Sequence, residues 1–344
     1  MYLPTGRWAN SVSVVVVTFN SADVIRRALC SVPVGAELIV VDNASTDNSL
    51  ALAEAEGARC IRQRKNTGFG RACNIGAAAS SRELILFLNP DAVLNEGALE
   101  AMAAAAHRYP EAGAIGPMLI DGDGNSIWRF SSILHPMGHA GQPVEPEAAC
   151  CVPLLTGAAL LCRRVAFEEV GGFDENIFLY HEDDDLCLRL TNNGWPLIYE
   201  PTAQTYHVFG QSCRLSKDMI RFKSEQRLLS HAYVARKYDL KFDLEHEWRR
   251  AIKRLLLSLI TFDRRRRAAA LGRIDALHAL QSARKAFSGA DTVAEFSWPC
   301  RDSVGHERRP RRLWGLTRRA LTNQSAREKT ASRAPSRERR LFPD

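Results

Sequence analysis

Long hydrophobic runs are missing from this chain of 344 residues. No apolar stretch approaches the roughly 20 residues that a membrane-spanning helix needs, so the sequence does not predict a transmembrane protein. The nine cysteines form neither a C-x-x-C pair nor a zinc-ligand spacing, which argues against the common zinc modules. The start of the chain shows no secretory signal. We therefore expect a cytosolic protein with reduced thiols.

Positive charge is scarce in most of the chain and concentrated at its end. The net charge is +7, but the residues from Arg301 onward hold 13 basic and 5 acidic residues, a net charge of +8. The preceding residues hold 33 basic and 34 acidic residues, a net charge of −1. The tail is rich in Arg, Ser, Ala and Pro, and we predict that it is disordered. Because it lacks regularly interleaved aromatic residues, we do not expect a nucleic-acid partner.

Strands and helices are predicted to alternate in the first third of the chain. Helix-forming segments follow each of three short apolar runs, and Ser21 or Asn20 is expected to cap the first helix. This alternation is typical of right-handed βαβ units and a mostly parallel sheet, and hence of an α/β fold. The predicted strands are Val12 to Val17, Leu38 to Val41, Cys60 to Arg62 and Leu84 to Leu88.

The predicted strand from Leu84 to Leu88 is the centre of this pattern. Its five residues are all apolar, as in a strand that is buried on both faces, and the strand stops at Asn89-Pro90-Asp91. A carboxylate is thereby placed at the carboxyl end of a central strand, where open α/β sheets bind ligands. Asp91 could hold a divalent metal, which could neutralise a diphosphate. The alternative is a simple turn after a strand.

The loops after the first two strands are rich in hydroxyl, amide and carboxylate groups. Thr18 and Asn20 follow the first strand, and Asp42 begins the loop after the second. Such groups suit a nucleoside, whose base and ribose present hydrogen-bond donors and acceptors. The later Gly68-x-Gly70 element lacks the third glycine of the dinucleotide fingerprint, which argues against a dehydrogenase.

The middle of the chain reads as a hairpin followed by a long loop. The turn from Asp121 to Asn125 imitates a calcium loop, but Ser132 stands where that loop needs a glutamate, so we predict a hairpin turn. The loop from Ser131 to Ala149 contains His135 and His139, which we interpret as solvated loop residues. A buried strand is expected from residue 154 to residue 162.

Four adjacent acids, from Glu182 to Asp185, begin a predicted helix. The helix dipole favours negative charge in this first turn, which explains about two of the acids. Four neighbouring carboxylates repel one another, and folding alone does not need all four. A carboxylate in such a cluster can act as a general base.

Together these motifs resemble family 2 glycosyltransferases, especially the bacterial rhamnosyltransferase-like branch, over roughly residues 11–210. The joint pattern is far more specific than any one of its parts. It implies a GT-A fold, which is a Rossmann-like α/β fold with a mostly parallel central sheet and flanking helices. The matching segments, in order, are Val-Thr-Phe-Asn20, Val-Val-Asp42-Asn-Ala-Ser-Thr-Asp47, Asn66-x-Gly68-x-Gly70, Leu-Asn-Pro-Asp91, Gly171-Gly-Phe-Asp174-Glu and Glu182-Asp183-x-Asp185-Leu.

The resemblance also implies roles for single residues. Asp91 matches the last acid of the family's Asp-x-Asp metal signature, and His207 matches a histidine that can complete the metal site. Asp183 matches the family's general base, with Asp184 as the rival one residue along. Nucleotide-sugar contacts are implied for Thr18, Asn20, Asp42, Asn66, Arg71 and Asn89. Asn89 stands where the signature often has its first Asp, which leaves fewer charged metal ligands.

The implied activity is an inverting, metal-dependent transfer of a sugar in bacterial surface polysaccharide synthesis. The donor would be a UDP- or dTDP-linked sugar, with rhamnose suggested by the branch alone, and the cofactor would be Mg²⁺ or Mn²⁺. The acceptor would be a glycan or a lipid-linked glycan. The alternative from another class is a sugar-nucleotide-binding protein without transferase activity.

Four regions are predicted: a nucleotide-sugar-binding half over 1–110, an acceptor and catalytic half over 111–211, a helical extension over 212–290, and the basic tail over 291–344. In the extension, the segment from Glu245 to Phe262 has an apolar face and is followed by Arg264 to Arg267. Such a helix could lie on an anionic membrane, which would place the protein at the inner face of the cell membrane. The alternative is a helix packed on the enzyme with a solvated basic face.

Overall fold

The computed structural model describes residues 8–136, 144–207, 212 and 216–287, with side chains described up to residue 283. The predictions made for His139 and for the basic tail lie outside these residues. Within them, no helix combines the length and the hydrophobicity needed to cross a bilayer.

The first half of the chain forms the predicted parallel βαβ units. β1 pairs in parallel with both β2 and β4, and β2 pairs in parallel with β3. The spatial order β3-β2-β1-β4 is therefore that of a Rossmann-like half. The strands are β1 (Val12–Thr18), β2 (Glu37–Asp42), β3 (Arg59–Arg62) and β4 (Leu84–Leu88), and the helices between them are α1 (Ile25–Cys30), α2 (Ser49–Ala55) and α3 (Phe69–Ala79).

Residues 92–207 continue the same sheet, so one sheet spans both the nucleotide-sugar-binding half and the catalytic half that the sequence predicts. Its order becomes β3-β2-β1-β4-β9-β6-β10-β5, with β7 paired to β6 and β8 paired to β10. β9 runs antiparallel to both of its neighbours, β4 and β6. The elements are β5 (Ala92–Leu94), α4 (Ala98–Arg108), β6 (Ala114–Ile120), β7 (Ser126–Ile127), β8 (Cys150–Cys151), β9 (Ala159–Arg163), α5 (Arg164–Glu169), α6 (Glu182–Asn192) and β10 (Leu197–His207).

The sheet is covered on both faces, as the continuous apolar strands require. Val14 and Val16 belong to one core cluster, which includes residues of α1 and α4. Val15 and Val17 point to the other face, where residues of α3 and α6 complete a second cluster. Alternate residues of one strand thus serve two cores, which is why β1 and β4 contain no exposed position.

Three local predictions need correction. The strand expected from residue 154 begins only at Ala159, because residues 157–158 form a turn at the edge of the site. Ser21 does not cap α1 with its side chain: its hydroxyl donates to the Ser212 carbonyl, while its own carbonyl accepts the turn hydrogen bonds from Val24 and Ile25. The sequence also predicts a strand from Trp195 to Tyr199, but β10 is longer, because it continues through an irregularity after Glu200.

Three helices form the C-terminal extension, as predicted, around a small core of their own. Leu228, Ala251 and Leu277 lie in this core. The third helix, which the sequence predicts from Leu271 to Phe287, begins earlier, because the Asp263 carboxylate accepts hydrogen bonds from the backbone N–H groups of Arg265 and Arg266. The helices are α7 (Lys217–Lys237), α8 (Leu244–Ile260) and α9 (Arg264–Phe287).

Candidate active site

One cavity of about 900 Å³ collects the carboxyl ends of several strands. Residues from the central strands and their loops line it, together with residues of α6, β10 and α7. This volume is in the range of small-molecule binding sites. Representative lining residues are Val17, Asn43, Asn89, Asp183, His207 and Lys223.

Thr18 and Asp42 lie side by side at the ends of β1 and β2. The two residues are register partners in the parallel ladder, and both are buried. One Asp42 oxygen accepts a hydrogen bond from the backbone of Ser45 at 3.1 Å. The other oxygen and the Thr18 hydroxyl have no hydrogen-bond partner among the described residues. Because buried polar atoms are nearly always satisfied, this pair fits a polar ligand such as a nucleoside.

Asn20 and Arg71 are placed outside the cavity lining, as are Thr18 and Asp42, whereas Asn66 is part of it. Asn20 joins the two loops: its side-chain oxygen accepts from the backbone of Thr46 at 2.8 Å. The guanidinium of Arg71 lies 3.5 Å from the Glu175 carboxylate. The Asn66 side chain lines the cavity and is held by Asn43, whose amide donates to it at 2.8 Å. The structure therefore does not bring Asn20 and Arg71 to the cavity wall.

Gly68 must be glycine for two reasons. Its φ of +92° lies in the left-handed region, and a Cβ atom there would come within 2.6 Å of the Phe178 carbonyl oxygen. That carbonyl also accepts a hydrogen bond from the backbone N–H of Phe69 at 2.9 Å. The glycine motif thus joins the start of α3 to the segment that precedes α6.

Asp91 lies outside the cavity lining and meets His207, which is part of the lining, where β5 pairs with β10. His207 is the register partner of Ala92, and its Nε2 lies 3.3 Å from Oδ1 of Asp91. The Asn89 amide lies 3.4 Å from the same ring nitrogen. Burial by itself would raise the pKa of Asp91, but the adjacent His207 outweighs it and the pKa is lowered. The Asp91 side chain is therefore an ionised carboxylate beside an imidazole.

These side chains fit a divalent cation. Both oxygens of Asp91 are buried, and neither has a hydrogen bond of ordinary geometry among the described residues. The described part of the chain contains no group of three or more His, Cys, Asp or Glu side chains suited to a metal. Two protein ligands suffice where phosphate oxygens and water complete the coordination, as is usual for Mg²⁺.

The four acids of α6 have different surroundings. Asp183 lines the cavity, and its Oδ2 accepts from the Gly157 backbone at 3.0 Å and from Arg129 at 3.1 Å. Asp184 is fully buried, where Arg129 donates to both of its oxygens and His181 lies 3.0 Å away. The pKa of Asp184 is lowered, because these partners outweigh the effect of burial. Asp184 is thus engaged in a structural ion pair.

The remaining two acids are buried as well. Burial and the neighbouring charge of Asp183 raise the pKa of Glu182 to about 8. Asp185 pairs with Arg189 at 2.8 Å and with Lys237 of α7 at 2.5 Å. Glu182 and Asp183 both line the cavity, but Asp183 is the one acid of the four that is not buried, with 14% of its side chain exposed.

The comparisons with known proteins decide the family. The family model described as glycosyl transferase family 2 matches residues 13–171. An N-acetylglucosaminyl-diphospho-decaprenol L-rhamnosyltransferase of Mycobacterium tuberculosis is 32% identical over 230 residues, which cover 56% of this chain and 75% of that protein. The chain belongs to glycosyl transferase family 2.

Further comparisons agree with this assignment. A pre-mycofactocin glycosyltransferase of Mycobacterium tuberculosis is 33% identical to this family 2 member, over 59% of this chain and 44% of that protein. The crystal structure of GalNAc-T7 with UDP, GalNAc and Mn²⁺ superimposes with a TM-score of 0.51 at 16% identity, covering 66% of this chain and 47% of that one. This likeness confirms the predicted GT-A fold. The chain is therefore a transferase enzyme, which argues against a binding protein without activity.

The structure also adds residues to the family 2 site that the sequence did not single out. Arg129 contacts both Asp183 and Asp184 across more than 50 positions of the chain. An isolated arginine after a hairpin gives no sequence signal. Lys223 and Arg227 of α7 line the same cavity, although their segment lies beyond the recognised motifs.

Proposed function

We propose that this family 2 member is an inverting, metal-dependent glycosyltransferase of bacterial surface polysaccharide synthesis. It would use a nucleotide-diphospho-sugar donor and a glycan or lipid-linked acceptor. The observation that carries the proposal is that one cavity holds Asp183, the accessible acid of α6, together with His207 and Asn89. These are the groups that a displacement at an anomeric carbon requires: a base and a site for the leaving diphosphate.

Asp183 would act as the general base. Its carboxylate is oriented by the Gly157 N–H and by Arg129, and it takes the proton from the acceptor hydroxyl as the hydroxyl oxygen attacks the anomeric carbon. The bond between that carbon and the phosphate oxygen breaks, and a nucleoside diphosphate leaves. One displacement without an enzyme nucleophile inverts the anomeric configuration.

Thr18 and Asp42 would receive the nucleoside with their unsatisfied polar atoms, and Asn66 and Asn89 would contact the sugar diphosphate. Asp91 and His207 would hold Mg²⁺ or Mn²⁺, which as a Lewis acid stabilises the charge of the departing diphosphate. We further propose roles for Asn20 and Arg71 in shaping the donor loops rather than in direct contact.

A deoxyhexose donor such as a dTDP- or UDP-linked rhamnose and a diphospho-lipid acceptor are the substrates we favour. The support is the identity to a relative that is named for rhamnosyl transfer to N-acetylglucosaminyl-diphospho-decaprenol. The 900 Å³ cavity has room for both reacting groups.

The test has two stages. A panel of nucleotide-sugars is first screened for protection against thermal unfolding with Mn²⁺ present, because a ligand at 100 times its Kd stabilises by about 2.7 kcal/mol. The stabilising donor is then incubated with a short-chain N-acetylglucosaminyl diphosphate lipid, and the anomeric configuration of the product is read by NMR. Retention of configuration, or donor hydrolysis without transfer to any acceptor, would overturn the proposal.

We also propose that α8 rests on an anionic membrane surface. The sequence predicted an apolar face, and the structure exposes it: Ile252, Leu256 and Ile260 are 47%, 54% and 73% exposed. The helix packs inward through Ala251 and Ser258 and, nearer its start, through the partly buried Leu244 and Trp248. Its later apolar residues therefore remain exposed. Basic residues at the start of α9 supply the charge that anionic lipids attract.

Replacing Arg264, Arg265 and Arg266 with Gln tests this contact. Each basic residue near such a surface contributes about 1 kcal/mol, so partition onto vesicles rich in phosphatidylglycerol should weaken roughly 100-fold. The control variant replaces three exposed arginines of the nucleotide-sugar-binding half, Arg27, Arg62 and Arg82. Equal partition of both variants and the wild type would refute the membrane contact.

A further inference from the structure

The helix α7 turns one face toward the cavity. Met219, Phe222, Lys223 and Arg227 all line it, and their spacing of three or four residues places them on one side of the helix. Part of the cavity wall is therefore built by the C-terminal extension, with apolar groups beside two cations.

The two cations have no acidic partner in the described structure. Neither Lys223 nor Arg227 forms an ion pair with a described carboxylate, whereas other basic residues of α7, such as Arg221 and Lys237, do. The Arg227 guanidinium stacks on the Tyr180 ring at 4.2 Å, a geometry that holds its plane while leaving the N–H donors at its edge available. Two such cations at a cavity wall suit an anion with several oxygens.

The position of α7 relative to the general base is fixed by several contacts. Tyr180 directly precedes the turn that carries Asp183. The Ser230 hydroxyl donates to the Leu179 carbonyl at 2.9 Å, and the rings of Phe178 and Phe222 meet edge to face at 5.7 Å.

An ion-pair bridge adds to this attachment. Lys237 lies 2.7 Å from Asp174 and 2.5 Å from Asp185, and both acids also accept hydrogen bonds from tyrosines of α7 and its end. The cations are thus held beside the segment that delivers the base.

We propose that Lys223 and Arg227 form a diphosphate subsite for the acceptor. This inference rests on the proposed function, in which the acceptor hydroxyl must reach Asp183. The donor diphosphate already has Asp91 and His207, while Arg227 lies on Tyr180 in the segment leading to the base and Lys223 lines the cavity one turn of α7 away. Met219 and Phe222 would receive the first carbons of the lipid chain next to the diphosphate.

The test compares Lys223→Gln/Arg227→Gln with Lys217→Gln/Arg236→Gln, which removes two charges from the same helix outside the cavity lining. Transfer to the N-acetylglucosaminyl diphosphate lipid should show a KM for the acceptor raised at least about 30-fold in the first variant and unchanged in the second. Calorimetric affinity for the donor nucleoside diphosphate with Mn²⁺ should be unchanged in both. Transfer to an alkyl N-acetylglucosaminide without phosphate should also be equal in both.

The other outcomes overturn the inference in distinguishable ways. A loss of nucleoside diphosphate affinity in the first variant would assign the two cations to the donor. An unchanged acceptor KM would remove them from recognition. Failure of the wild-type enzyme to transfer to any acceptor would instead refute the proposed function. Inorganic pyrophosphate in excess chelator serves as a direct probe: the wild type and the control should bind it, and the first variant should not.

Discussion

Replacing Asp183 and Asp184 singly with Asn separates catalysis from folding within one acidic turn. Asp183→Asn should lower turnover by roughly 100-fold or more, the scale of a lost general base. The Asn carbonyl can still accept from Gly157 and Arg129, but its NH2 group cannot accept from the backbone N–H of Asp184 as Oδ1 does, so the free energy of unfolding should fall by about 1 kcal/mol. Donor affinity should stay the same, because the base faces the acceptor.

Asp184→Asn should have the opposite profile. Asp184 is fully buried between Arg129 and His181, and removing one partner of a buried ion pair costs about 3–5 kcal/mol. We expect the lower end, about 3 kcal/mol, because the Arg129 side chain keeps 38% of its area exposed and retains Asp183. Turnover measured well below the unfolding temperature should fall only mildly.

The pH dependence provides an independent check on Asp184. Its pKa is lowered in the folded protein, so its contribution to stability is present above the ordinary value of 3.8 and is lost as the pH falls through the folded value. The wild type should therefore lose more stability than Asp184→Asn on acidification below that value. The assays are initial rates at saturating substrates and urea unfolding between pH 3 and pH 7.

Two results would refute this assignment. A stable but inactive Asp184→Asn variant together with an active Asp183→Asn variant would show that Asp184, not Asp183, is the general base. Full transfer by both variants would place the base outside the acidic turn.

Three further predictions follow from other parts of the site. Chelation of divalent metal should abolish sugar transfer, and added Mn²⁺ or Mg²⁺ should restore it. His207→Ala should need an at least about 10-fold higher metal concentration for half-maximal activity. Full activity in excess chelator would exclude a metal from the mechanism. Glu182→Gln should leave the free energy of unfolding unchanged at pH 4 and raise it by up to about 4 kcal/mol at pH 9, as measured by urea unfolding. The reason is that a pKa of about 8 means that the folded chain keeps a proton that the unfolded chain has released. Equal stability of the variant and the wild type at pH 9 would contradict this. Gly68→Ala should lower the free energy of unfolding by at least about 2 kcal/mol, against about 1 kcal/mol for the control Gly57→Ala. Both glycines have positive φ, but of the two only Gly68 faces a backbone oxygen, that of Phe178. Equal losses of stability in the two variants would contradict the steric argument.

The parallel half of the sheet could be predicted because its signals are local. The strand from Leu84 to Leu88 is observed with the predicted bounds, since an apolar run ended by Pro90 carries its own start and stop. The insertion of β9 between β4 and β6 could not be predicted in this way. Such pairing depends on contacts between residues that are far apart in sequence. The hydrophobic periodicity of a single segment does not indicate which other strand it will pair with.

The site was predictable in composition but not in geometry. A run of four acids cannot show by itself that Asp184 is buried and Asp183 reaches the cavity, because the difference comes from Arg129, a residue more than 50 positions away. The amphipathic pattern of α8 likewise located an apolar face without saying which way it turns. Leu244 and Trp248 pack inward with Ala251 and Ser258, whereas Ile252, Leu256 and Ile260 point outward.

The bridge of Lys237 between Asp174 and Asp185 has a consequence for how such enzymes diversify. The helix α7, which completes the cavity, contacts the rest of the GT-A fold largely through one of its sides and through the carboxylates of Asp174 and Asp185. Changes at Lys223 or Arg227 can therefore accumulate without disturbing the strands that carry Thr18 and Asp42. Grafting α7 to α9 from a relative, with the lysine and both acids retained, should exchange acceptor preference while the donor preference is inherited unchanged.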